Sequence, residues 1–132
     1  LRQLVRFKSA ELSMVLWGLA SSPSAPPRAQ SAMLDAVSAE FLRRGAAAFD
    51  AQSIATVAYA SSCLLLSELS PLWAAVAAGS EDRVDEFSDR QVVNLVWAFA
   101  TVTNEDASAL FSRVEHAWDE HIKHLAPIDL SL

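Results

Sequence analysis

Apolar residues recur along this chain at the three-to-four residue spacing of a helix, and three blocks of them match one another. In residues 7–20 the apolar positions are Leu12, Val15, Leu16 and Leu19. Ile54, Val57 and Ala58 take the same places in residues 49–62, and Val92, Leu95, Val96 and Phe99 do so in residues 87–100. At about 100° per residue each set forms one stripe of a helix. A phenylalanine stands five residues ahead of each stripe: Phe7, Phe49 and Phe87. The blocks begin 42 and then 38 residues apart, so the chain reads as an internal repeat.

The start of each block has helix-capping chemistry. Ser88 takes the N-cap place with Gln91 three residues on, the spacing of a capping box. Phe87 and Val92 then occupy the two places of a hydrophobic staple. Phe49, Asp50 and Ile54 repeat the arrangement. Phe7 and Leu12 keep the staple, but Lys8 fills the cap place, so this helix is expected to start at Ser9.

A second stripe, roughly opposite the first, holds Trp17, Tyr59 and Trp97, each followed by a tiny residue: Gly18, Ala60 and Ala98. A helix that is apolar on two sides has neighbours on two sides. Each block is followed by a second amphipathic stretch. Residues 31–44 carry Leu34, Val37 and Phe41, with Gly45 as the expected stop. Residues 69–78 carry Pro71 in the first turn and Gly79 as the expected stop. Residues 106–125 carry Leu110, Val114, Trp118, Ile122 and Leu125. The Pro-rich residues 21–28 supply a loop for the longer first unit. The pattern predicts an all-α fold: one helical-repeat domain over residues 1–132. It takes the form of an α-solenoid of about three antiparallel helix pairs, with units at 7–48, 49–86 and 87–126.

The recurring string is Phe-x₄-[Leu/Ile/Val]-x₂-[Val/Leu]-x-[Trp/Tyr]-[Gly/Ala]-x-[Ala/Ser]. Residues 94–100 are its strongest instance, residues 14–20 a close second, and residues 56–62 a degenerate one. These segments resemble the units of the octotricopeptide-repeat family. They are also similar to heptatricopeptide repeats and to the repeat regions of RAP-domain and FAST-kinase-like proteins. The resemblance covers the three blocks well and the partner helices by pattern alone. No RAP-type domain is legible in the chain. The resemblance implies an α-solenoid that binds RNA in mitochondria, or alternatively in chloroplasts or other plastids. It further implies a component or fragment of a mitochondrial ribosome or similar ribonucleoprotein. The partners expected from it are rRNA or organellar mRNA and neighbouring proteins of the complex. A first residue of Leu1 rather than Met suits a processed chain or a piece of a longer one.

Charge refines this picture. The formal net charge is −6. Residues 1–44 hold six basic and three acidic side chains, and residues 45–132 hold four and thirteen. Phosphate would therefore meet the basic end. The candidate RNA contacts are Arg6, Lys8, Arg43 and Arg44 for phosphate, and Gln52, Thr56, Arg90 and Asn94 for bases. The last four lie three and seven residues after the repeated Phe, where Ala10 and Met14 stand in the first block. Readers of one base per repeat use two or three such side chains per unit. Trp17, Tyr59 and Trp97 recur once per unit, as stacking platforms would, but aromatic stripes at helical spacing commonly serve packing. The alternative is a protein–protein adaptor without direct RNA contact, its acidic part docking a basic partner.

Other chemistries find little support. The single cysteine, Cys63, excludes an internal disulfide framework. His116, Glu120 and His124 share a helical stripe, but i to i+8 spans about 12 Å, too far for one metal ion. There is no nucleophile triad, P-loop or Gly-rich dinucleotide loop. No enzyme activity, cofactor, metal, small-molecule substrate or membrane span is expected. Alanine makes up 24 of the 132 residues, which favours helix throughout.

Overall fold

The computed structural model describes residues 2–22 and 26–102, together with positions 112, 115 and 116. It is all-helical, with five α-helices packed together and no strand among the described residues. The helices are α1 (Ser9–Ala20), α2 (Pro27–Arg44), α3 (Ala51–Cys63), α4 (Pro71–Glu81) and α5 (Asp89–Val102). A short 3₁₀ turn precedes each of α1, α3 and α5, at Arg2–Arg6, Ala46–Ala48 and Val84–Glu86. The repeated phenylalanines follow these turns directly. The expected third partner helix, with Leu110, Val114, Trp118, Ile122 and Leu125, lies outside the described residues.

The caps form where their chemistry requires. Gln91 N–H donates to Ser88 Oγ at 3.2 Å, and Ser88 N–H donates to Gln91 Oε1 at 2.9 Å. The capping box thereby satisfies two backbone donors at the helix start. Asp50 accepts from Ser53 N–H at 2.8 Å. Helix α1 starts at Ser9, and Glu11 accepts from the Lys8 N–H at 2.7 Å, so half of a capping box survives without a capping side chain at position 8. Helix α2 stops at Gly45, whose φ of +86° suits a residue without Cβ.

Three boundaries differ from the sequence expectation, among them the start of α4, at Pro71 rather than at residue 69. Helix α2 starts at Pro27 rather than at residue 31, because a proline at N1 has its φ already helical and loses no hydrogen bond there. Helix α4 runs through Gly79 to Glu81. Gly79 is not a stop but a contact: a Cβ on it would collide with the Ala46 methyl. The missing side chain lets α4 sit down on the 3₁₀ turn ahead of α3.

Helix α3 lies between α1 and α5 and packs against both. Helices α2 and α4 pack on each other and on α1 and α3 respectively. This position explains the composition of α3, in which Ile54, Ala55, Val57, Ala58, Ala60, Ser61 and Ser62 are all buried. Small side chains let neighbouring axes approach on both sides. One apolar core runs through the assembly, with Phe41 and Phe49 at 4.4 Å between ring centroids and Trp73 edge-on to Phe99 at 5.3 Å. The Trp73 indole N–H donates to the Ser67 carbonyl at 3.0 Å, which satisfies its polar edge inside the core.

Candidate nucleic-acid interface

Helices α1, α3 and α5 each carry a strip of three wholly or partly exposed residues at i, i+4 and i+7. In α1 these are Ala10, Met14 and Trp17; in α3, Gln52, Thr56 and Tyr59; in α5, Arg90, Asn94 and Trp97. Ala10, Gln52 and Arg90 are exposed, and Thr56 and Asn94 are half-buried. The aromatic ends of the strips touch in series. Trp17 and Tyr59 have ring centroids 5.8 Å apart, and Tyr59 and Trp97 5.1 Å, both tilted by 38°. Trp17 is 42% exposed and Trp97 45%. The row is thus a packed ladder and an open surface at once. Tilted ring pairs of this kind contribute about 0.5–1.5 kcal/mol each beyond area burial.

The nine strip positions carry no carboxylate and one cation, Arg90, in a chain of net charge −6. Gln52, Thr56 and Asn94 supply neutral donors and acceptors beside the rings. In the sequence the aromatic row and the polar positions read as separate features. Their common strip was legible in the spacing of four and then three residues, which puts all of them on one face. Met14 and Trp17 belong to the surface on the same grounds.

The basic candidates form a second group at one end of the first helix pair. Arg44 Nη2 donates to the carbonyls of Leu4 at 3.0 Å and Val5 at 3.4 Å, and Arg44 Nη1 donates to Ser9 Oγ at 3.3 Å. This holds the end of α2 against the turn that carries Arg6. Glu40 is buried and accepts from both neighbours, from Arg43 Nε and Nη2 at 2.8 and 2.6 Å and from Arg44 Nε at 2.6 Å. Hydrogen bonds from Arg43, then Arg44, hold the Glu40 carboxyl down at about 2. The Arg44 side chain is only 12% exposed, so its fork is committed to the fold. Arg43 stays 61% exposed, and Arg6 and Lys8 are exposed. Those three remain open to an anion.

Arg83 makes a contact like that of Arg44, from the end of α4 to the residues ahead of α3. It donates from Nη1 to the carbonyls of Phe49 at 2.8 Å and Ala46 at 3.4 Å, and it pairs with Glu86. Its neighbourhood, with hydrogen bonds from Ser53 foremost, holds Asp50 below the usual carboxylate range. Among the described residues, no three His, Cys, Asp or Glu side chains converge as a metal site. His116 is helical and exposed, while Glu120 and His124 lie outside the described residues. No helix among the described residues is long and apolar enough to cross a membrane. Comparison with known protein families, curated proteins and solved structures finds no match.

Proposed function

We propose that this chain is a non-catalytic α-solenoid module that binds single-stranded RNA along the strips of its inner helices. One observation carries the reading. A contiguous aromatic ladder, half open to solvent, runs beside neutral and basic hydrogen-bonding side chains with no carboxylate among them. Exposed rings can stack on bases of any sequence, each worth about 1–3 kcal/mol, and Gln52, Thr56, Arg90 and Asn94 can meet base edges or phosphate. Arg6, Lys8 and Arg43 extend the surface as phosphate contacts. The solenoid reading is supported by the in-register ladder, by the placement of α3 between α1 and α5, and by the two equivalent arginine contacts. The resemblance to octotricopeptide repeats supports a place in an organellar ribonucleoprotein such as a mitochondrial ribosome, or its plastid counterpart.

The test is ultraviolet crosslinking of the native complex with sequencing of the bound RNA. Crosslinks at the strip residues are expected. In solution, RNA should quench tryptophan emission, and Arg90→Ala should lower the slope of affinity against salt by about one. A second reading, the protein adaptor, is favoured by the exposed apolar groups Met14, Trp17, Val93 and Trp97. Absence of crosslinked RNA, with copurified protein contacts along the same strips, selects it.

A further inference from the structure

Charge is sorted along the helix axes. Arg44, at the end of α2, reaches Leu4 and Ser9 at the entry to α1. Arg83, just past α4, reaches Ala46 and Phe49 between α2 and α3. The starts of α1 and α3 and the ends of α2 and α4 therefore gather at one end of the molecule. Helix α5 begins there too, eight residues after α4 ends. No charged residue falls in 12–27, 51–67, 69–80 or 91–102. Beyond the middle of the helices, the described residues carry charge only at Arg28 and Glu68, with Asp35 at the midpoint of α2.

Residues 64–70 join α3 to α4 at this charge-poor end. Helix α3 closes there with two paired bonds, Leu65 N–H to the Ser62 carbonyl at 3.1 Å and Leu66 N–H to the Ser61 carbonyl at 2.9 Å. Such a closure needs a left-handed residue, ordinarily glycine, and Leu65 supplies it at φ +61°. A leucine in that conformation is strained. Leu66 turns back onto the core, but Leu65 is 83% exposed, so little packing within the chain offsets the strain. Leu69, four residues on, is 87% exposed. Two leucines thus stand out from a loop held between two described helices. Trp17, Tyr59 and Trp97 sit three, four and five residues before the ends of α1, α3 and α5, about 4.5–7.5 Å back along the axes.

We infer that this end of the molecule docks on the surface of a lipid bilayer, with Leu65 and Leu69 inserted among the acyl chains and no helix crossing. Three features favour lipid over a protein partner. The leucines project from the fold, and a fluid bilayer takes a projecting apolar side chain without a matching pocket. The described surface around them holds few charges that insertion would have to desolvate. Tryptophan and tyrosine favour the level where the apolar and hydrated layers meet, and the setback of the ring row fits an insertion depth of about 5–10 Å. A chain of net charge −6 gains nothing from anionic headgroups, so the surface it suits is zwitterionic. Two leucines make the contact marginal and reversible, and RNA plays no part in it.

Flotation of the whole chain with phosphatidylcholine vesicles tests this. The chain should float with them at high lipid concentration, and brominated acyl chains should quench its tryptophan emission. Leu69→Ser should lower the lipid affinity about tenfold, the loss expected for one buried leucine. Leu65→Gly should lower it as much while raising the urea midpoint, because glycine relieves the left-handed residue. Tighter folding with weaker binding excludes damage to the fold as the cause. A chain that never floats overturns the inference, as does one whose flotation survives both substitutions. So does flotation that requires phosphatidylserine, which would put the charged end on the bilayer. Loss of a copurifying protein on Leu69→Ser, with no vesicle bound, also overturns it and assigns the loop to a protein partner.

Discussion

The Arg83 guanidinium donates to the Phe49 carbonyl at 2.8 Å, joining the end of α4 to the start of α3 across 34 residues of sequence. Arg44 makes the corresponding contact to the turn ahead of α1. The α1–α2 and α3–α4 pairs are thus each clasped by an arginine at the far end onto backbone carbonyls at the entry to the first helix of the pair. Replacing Arg83 by Met keeps the stem and removes the donors, leaving those carbonyls without it. We expect a loss of about 1.5–3 kcal/mol in urea unfolding, the range for hydrogen bonds to charged groups. Lys at this position should recover only part of it, because one ammonium lacks the fork that spans two carbonyls and Glu86.

Gly79 and Ala46 give a second test. Gly79→Ala should destabilise by about 1–3 kcal/mol despite the higher helix propensity of alanine, because the new methyl collides with that of Ala46. The double variant with Ala46→Gly should regain most of the loss, and a double-mutant cycle measures the coupling. Additive losses would mean that the two positions do not touch.

Glu40 sets the acid limit. Its carboxyl is held at about 2 in the fold against an ordinary value of 4.5. A depressed folded value contributes stability that is complete above about pH 4.5 and is lost as pH falls toward 2. Glu40→Gln should cost roughly 2 kcal/mol near neutral pH, through weakened charged hydrogen bonds to Arg43 and Arg44. Its melting temperature should converge on that of the wild type over the same window. A difference between the two that is constant from pH 7 to pH 2.5 would contradict the assignment.

Three buried serine hydroxyls, of Ser38, Ser61 and Ser80, have no hydrogen-bond partner among the described residues. Ser61 lies in the last turn of α3, fully buried. Ser61→Ala removes a desolvated polar atom with almost no change in volume, so thermal unfolding should shift upward by the equivalent of about 1 kcal/mol.

The elements that sequence made legible are those whose signals are local. The Ser88–Gln91 box, the Asp50 cap and the apolar stripes all act within one or two turns, and spacing alone reveals them. The arginine clasps were not legible. Their acceptors are backbone carbonyls, which every residue carries, and the contacts cross 34 to 40 residues. For the same reason Arg44 reads in the sequence as a phosphate contact and lies in the structure against Leu4 and Val5. Gly79 misled because a stop glycine and a close-contact glycine are the same letter. Only the position of Ala46 tells them apart.

The tilt between neighbouring rings is the same, 38°, at both steps of the Trp17, Tyr59 and Trp97 row. Chromophores fixed in contact in this way couple their transitions, and that coupling vanishes once side-chain packing is lost. Near-ultraviolet circular dichroism of this chain is therefore a direct optical gauge of how α1, α3 and α5 pack on one another.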